Sequence, residues 1–209
     1  MNNIIYILLN ESMPDLVKIG RTNRTIEQRI KELDNTSVPL PFQCFYAAEV
    51  NNAELVERRI HKVFSDKRLR GSREFFRLAP DQAVQAIKLA EIREITPKGD
   101  VIDELSDKDA LEKYGSIEER KAKRLTFKGM EVPNNAILSF VRDENITCIV
   151  ADENSNQVIL DGESFSLSAA ALKVLRNMGY NWSSARGSDH WKYEEKTLTA
   201  RRLALEDKN

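Results

Sequence analysis

Two short apolar runs open the chain, residues 3–9 (NIIYILL) and residues 16–19 (LVKI), with the turn-rich NESMPD between them. Runs this short, bounded by Asn, Pro and Asp, read as two strands paired in a hairpin. The second run carries one lysine, Lys18. An ammonium in an otherwise apolar strand is costly unless it reaches a partner or water. Lys18 therefore predicts a polar cleft beside the hairpin.

The next segments alternate helix and strand signals. Thr25 caps a helix running to Leu33, with Ile26, Ile30 and Leu33 at helical spacing and Gln28 completing a capping box. PLPFQ breaks the pattern, and residues 44–50 (CFYAAEV) read as a third strand. Asn52 caps a second helix whose stripe is Leu55, Val56, Ile60, Val63 and Phe64. Residues 74–78 (EFFRL) read as a short strand, and residues 79–92 as a further amphipathic helix opened by Pro80-Asp81. The 209 residues suffice for two small domains. The boundary falls in residues 96–124, a charged, partly helical linker containing Pro97, Gly99 and Gly115. The expected organisation is thus 1–95, linker 96–124 and 125–209, with an α+β fold.

Whole-chain charge is balanced, 32 basic residues against 33 acidic, and does not announce a nucleic-acid partner. Its distribution does. From Arg58 to Arg77 eight basic residues face two acids, Asp66 and Glu74. A phosphate backbone is attracted to such a stretch in a salt-dependent way. Cys44 and Cys148 lie far apart in apolar runs and read as buried free thiols. With two histidines and no cysteine pair, a structural zinc site is set aside. The first apolar run lacks a basic leader and is too short to cross a bilayer, so a reduced, cytoplasmic setting is expected.

Tyr6, Lys18, Arg29, His61 and Glu74 follow one another in the contexts IIY, KIG, RTIEQRIKEL, ELVERRIHKVF and RGSREFFRL. This order resembles the GIY-YIG nuclease superfamily, in its phage and restriction-type branch, where a lysine replaces the second tyrosine of the name motif. Here the two elements read Ile4-Ile5-Tyr6 and Lys18-Ile19-Gly20, without the first glycine, and the match covers residues 3–80. The resemblance implies an N-terminal α/β sandwich, a small central antiparallel sheet flanked by helices, that hydrolyses phosphodiester bonds of DNA. It also implies one divalent ion, Mg2+ or Mn2+, held by a single glutamate, which Glu74 matches. Magnesium suits this role because it retains most of its waters and accepts one carboxylate. Tyr6 then positions or deprotonates the water, and deprotonation needs the metal and nearby cations to lower its pKa. Lys18 and Arg29 are the candidate source of that field. Arg29 grips the scissile phosphate, and His61 contacts phosphate or moves a proton. Glu57, one turn before His61, reads as a buttress. Arg21 and Arg24, with Arg70 and Arg73 in the basic stretch, are expected to touch the DNA backbone, and Arg21 is the substitute should Arg29 not be the helix arginine.

The second domain alternates short strands (136–140, 147–151, 157–160) with polar turns, followed by a helix capped at Ser166 or Ser168 and running to Met178. The run Val158–Ala171 and the later GSDHWKY resemble a small C-terminal domain that recurs beside restriction nucleases and adenine methylases. That resemblance implies target or modification recognition. Trp182 and Trp191 are candidate stacking residues for a base, with Trp191 and Phe165 alternatively read as core. Residues 97–209 hold 17 basic and 20 acidic side chains, which argues against an electrostatic clamp there.

The sequence thus points to a two-domain, metal-dependent DNA endonuclease in restriction or anti-phage defence, acting on DNA that is plain or modified. One active site per chain makes a homodimer, or sequential nicking, the route to a double-strand cut. The rival readings are a non-catalytic DNA-binding or regulatory protein that keeps the fold, and a structure-specific repair nuclease.

Overall fold

The computed structural model describes residues 3–102 and 126–208, so residues 103–124 of the expected linker lie outside the described residues. The chain divides into two compact units, Met1–Asp103 and Glu104–Asn209. Both are mixed helix and antiparallel sheet, an α+β fold.

The first unit is built on five strands: β1 (Ile4–Leu9), β2 (Val17–Thr22), β3 (Gln43–Val50), β4 (Phe75–Phe76) and β5 (Glu91–Glu94). Their order across the sheet is β4-β2-β1-β3-β5, every pairing antiparallel. β1 lies in the middle, and all six of its residues are buried. A central strand covered on both faces reads as a continuous apolar run. Its alternate side chains feed two cores. Ile5, Ile7 and Leu9 pack with Ala53 and Ile60 of helix α2 (Ala53–Val63) and with Ala83, Val84 and Ile87 of α3 (Pro80–Lys88). Ile4, Tyr6 and Leu8 pack on the other face with Ile26 and Ile30 of α1 (Ile26–Leu33).

Local signals place the first two helices. The Thr25 hydroxyl accepts from Gln28 N–H and the Gln28 side chain answers on the Thr25 N–H, a complete capping box. Asn52 caps α2 through Leu55 N–H at 2.9 Å. The third helix departs from expectation. It stops at Lys88, and the chain turns back as β5 on the free edge of β3. Leu89 and Ile92, the large apolar residues beyond Ile87, are exposed, and only the small Ala90 still meets the core, so another turn gains little.

The second unit holds a six-stranded sheet, β6 (Ile137–Phe140), β7 (Asp143–Val150), β8 (Gln157–Leu160), β9 (Glu163–Ser166), β10 (Trp191–Tyr193) and β11 (Lys196–Thr197), in the order β11-β10-β6-β7-β8-β9. Helices α4 (Leu167–Asn177), short α5 (Gly187–His190) and α6 (Leu198–Glu206) complete it. Ser166 is the cap of α4, its hydroxyl accepting from Ala169 N–H at 3.3 Å. Strands β9, β10 and β11 and helix α6 add to the elements the sequence pattern indicates. The β8–β9 hairpin turns on Asp161-Gly162, both at positive φ, the residue types such a tight turn demands.

The expected stacking role of Trp182 and Trp191 is corrected here. Both rings are buried, and Trp191 Nε1 donates to Leu167 O at 3.3 Å. Trp191 packs edge-on against Phe140 and belongs to the same core as Phe127, Val158 and Leu175. These indoles hold the fold and offer no face to a base.

The β10–β11 turn is Glu194-Glu195, with φ of 49° and 65°. A side chain in this left-handed region costs about 1 kcal/mol. Replacing Glu195 with glycine should therefore stabilise the protein by about 0.5–1 kcal/mol, read as a higher urea midpoint. His190 supplies a second test. Burial, aided by the positive charges of Arg142 and Arg186, pushes its pKa down to about 3. The folded protein keeps it neutral while the unfolded chain protonates near 6.5. Its contribution to stability is complete above about pH 6.5 and drains as pH falls toward about 3. The His190 ring resonances should stay flat in an NMR titration from pH 8 to pH 4.

Candidate active site

Pairing of β1 with β2 sets Tyr6 opposite Gly20 and Leu8 opposite Lys18. Side chains two apart on a strand share a face, so Lys18 and Gly20 lie on the α1 side with Tyr6. Gly20 is there to leave room. A Cβ at this position would stand 2.6 Å from the Tyr6 hydroxyl and 2.8 Å from its ring. The hydroxyl end of the tyrosine ring therefore lies over the glycine, and its hydroxyl accepts a hydrogen bond from Arg29 Nε at 3.2 Å. Glu32, one turn on along α1, takes a second guanidinium hydrogen at 3.1 Å.

Burial raises the Tyr6 pKa. The Arg29 hydrogen bond and charge pull it back only in part, and Glu74 and Glu57 push it up further. Tyr6 is thus a neutral phenol at physiological pH. Among this chain's own groups desolvation outweighs Arg29, and Lys18 is engaged with Glu74.

Lys18 is buried, and its Nζ stands 2.5 Å from Glu74 Oε2 and 5.3 Å from the centre of the Phe75 ring. Glu74 precedes β4, whose Phe75 pairs with Lys18, and its carbonyl accepts from Ile19 N–H at 3.0 Å. Backbone pairing thus delivers the carboxylate to the ammonium. The Glu74 side chain keeps 36% exposure, so one side faces solvent.

His61 approaches from α2. Its Nε2 lies 2.9 Å from Ile19 O, and because a carbonyl only accepts, that nitrogen carries the hydrogen. The ring lies 4.9 Å from Phe76. Nδ1 is left with the lone pair. Glu57, one turn earlier, accepts from Arg21 Nε at 3.1 Å with only 17% of its side chain exposed. Burial, then the Glu74 charge, raises its pKa. Tyr6 senses both carboxylates and Glu57 senses Glu74 and His61, so these groups share one electrostatic neighbourhood.

The structure therefore brings Tyr6 to Arg29 and Lys18 to Glu74, with His61 against β2. Arg24 is ion-paired with Glu32, and Arg21 with Glu57 and Glu54, so both lie at the rim but are held by carboxylates of this chain. Arg70 and Arg73 are exposed on the turn before Glu74. Sequence reading passed over Glu32 and the space-making role of Gly20. The signal for Gly20 was its place in the KIG element, but its need to be glycine appears only with the register.

Among the described residues no group of three or more His, Cys, Asp or Glu gathers into a metal cage. One half-exposed carboxylate with a second nearby does fit a largely hydrated, oxygen-seeking divalent ion better than zinc. Glu74 is the residue that would hold it.

Residues 3–91 match the family model of the T5orf172 domain, less than half of the 209-residue chain. The match lies within the first unit and includes all five residues of the site. This domain occurs in nuclease-like and DNA-binding proteins. No curated protein and no solved structure matches the chain. Among the described residues no helix is long and apolar enough to cross a membrane.

The Tyr6–Gly20 contact is directly testable. Gly20→Ala should displace the Tyr6 ring and destabilise the protein by about 1–3 kcal/mol, as overpacking does. Urea denaturation of the variant beside Gly20→Ala/Tyr6→Ala, which restores the room, checks that the loss is steric.

Proposed function

We propose that this chain is a metal-dependent DNA endonuclease that hydrolyses phosphodiester bonds through a GIY-YIG-type site on its first unit. The supporting observation is the pairing of Tyr6 with Arg29 and of Lys18 with Glu74 around the β1–β2 hairpin, beside a turn bearing Arg70 and Arg73. A T5orf172 match over this same unit agrees with that reading.

Phosphodiester hydrolysis needs a positioned water, neutralisation of charge on the transferring phosphoryl group and a place for the protons. A divalent ion, Mg2+ or Mn2+, held by Glu74 would supply Lewis-acid activation of water and phosphate. Arg29 faces the phosphate. Its Nε on Tyr6 and its terminal nitrogen on Glu32 fix the plane of the guanidinium before substrate arrives. Tyr6 accepts from Arg29, so its own hydroxyl hydrogen is available to donate, and burial keeps that hydrogen in place. The phenol orients the water rather than deprotonating it. His61 Nδ1, the ring atom with the lone pair, is the group placed to accept a proton. Lys18 holds the Glu74 carboxylate and balances its charge.

The second unit aids target choice, in restriction or anti-phage defence, with the substrate DNA plain or base-modified. Recognition there proceeds without the buried Trp182 and Trp191. Cutting both strands uses a homodimer or two successive nicks, because each chain brings one site.

The test is cleavage of supercoiled plasmid, with and without modified bases, in Mg2+ or Mn2+. Wild type should nick or linearise it, and Glu74→Gln should lower the rate by about 10²-fold or more. Tyr6→Phe should lower it less than Glu74→Gln does. An absence of cutting on plain, modified and branched DNA, with DNA binding intact, would leave a binding protein that keeps the fold.

A further inference from the structure

Residues 67–77 form a small hairpin that delivers Glu74. Arg77 N–H donates to Lys67 O at 2.8 Å and Leu69 N–H to Phe75 O at 3.1 Å, with Arg68 bridged to Phe76. Arg73 N–H donates to Arg70 O at 3.0 Å and closes the turn Arg70-Gly71-Ser72-Arg73. Arg68 Nε adds a bond to Arg73 O at 2.6 Å, and its guanidinium lies 5.6 Å from the centre of the Phe76 ring. Tied at both ends and across the turn, this is a preformed projection rather than a loose loop.

Strand alternation assigns its faces. Arg68 stands with Phe76, which packs in the α2 core, so Leu69 stands with Phe75 on the α1 side. That is the side of Lys18 and Tyr6. Leu69 is 55% exposed and is flanked by the exposed Arg70 and Arg73. A single exposed leucine is ordinary on a protein surface. This one is carried on a rigid hairpin, on the catalytic face, five residues before the proposed metal ligand and among cations.

We propose that Leu69 is an apolar wedge that enters the base stack of duplex DNA beside the scissile phosphate, while Arg70 and Arg73 hold the flanking phosphates. The inference rests on the DNA-cleaving reading of the same site. Cations bring the backbone to the turn, and the leucine then meets the groove with no polar group to satisfy. Apolar side chains inserted between base steps partly unstack and kink a duplex. For this enzyme the kink opens the backbone toward Arg29 and Glu74. A duplex already interrupted by a gap has lost that stacking, and so needs the wedge less.

The experiment is binding of the full chain, with divalent ions chelated, to a 30-base-pair duplex and to the same duplex with a one-nucleotide gap. Leu69→Ala should weaken binding to the intact duplex by about tenfold and to the gapped one by less than about threefold. Leu69→Met should restore the intact-duplex affinity. An unchanged thermal midpoint in Leu69→Ala, expected for an exposed side chain, separates the effect from folding. 2-Aminopurine placed along the intact duplex should brighten with wild type and stay dark with Leu69→Ala. Equal losses on both duplexes, or none on either, with the fluorescence silent, would overturn the wedge while leaving the nuclease reading intact. No binding of wild type to either duplex at low salt would overturn both.

Discussion

The Lys18–Glu74 ion pair is the interaction on which the first unit's functional face depends. A lysine inside an apolar strand is unfavourable by itself, because desolvation of the ammonium exceeds what apolar contact returns. Here one carboxylate, delivered by the neighbouring hairpin, meets it at 2.5 Å, and the Phe75 ring lies beneath. Breaking such a pair by removing one partner leaves an uncompensated charge, which costs more than the pair contributes. Glu74 keeps a solvent-facing side, so the pair ties the hairpin to the sheet without sealing the carboxylate from solvent.

Around that pair the charges are arranged as matched couples. Arg29 serves Tyr6 and Glu32, Arg21 serves Glu57, and His61 serves the Ile19 carbonyl. Each long side chain is thus held in one orientation by a partner of this chain, which lowers the entropy cost of binding any ligand on this face. Arg70 and Arg73 remain as exposed cations on the turn before Glu74. Neutral Tyr6 fits this picture: among two carboxylates and one arginine, burial decides its protonation.

Much of the fold was legible from local chemistry. The strand pair at the N-terminus, the capping box at Thr25, the Asn52 cap and the Ser166 cap are signals written within four residues, and each stands where the spacing indicates. Elements without such signals were not legible. The α3 pattern runs past Lys88, but a helix continues only while its stripe has something to bury. Strand β9 (ESFS) and the two-residue strand β11 are polar or short, and sheet pairing alone creates them. The indoles of Trp182 and Trp191 illustrate the same limit. A serine-rich aromatic stretch left Trp191 open between core and stacking surface, and packing against Phe140 and Tyr180 places both indoles in the core.

The sequence by itself determined which chemical groups are present and in what order: a phenol, an ammonium, two arginine-bearing helices and a lone carboxylate after a basic turn. It did so because helix caps, strand alternation and turn residues act over a few positions. Tertiary structure alone decided that Lys18 meets a carboxylate 56 residues away, that Gly20 must lack a side chain for Tyr6 to lie there, and that Glu57 engages Arg21. These outcomes follow from strand register and from burial, and both are properties of elements brought together across the sheet rather than of any stretch of chain.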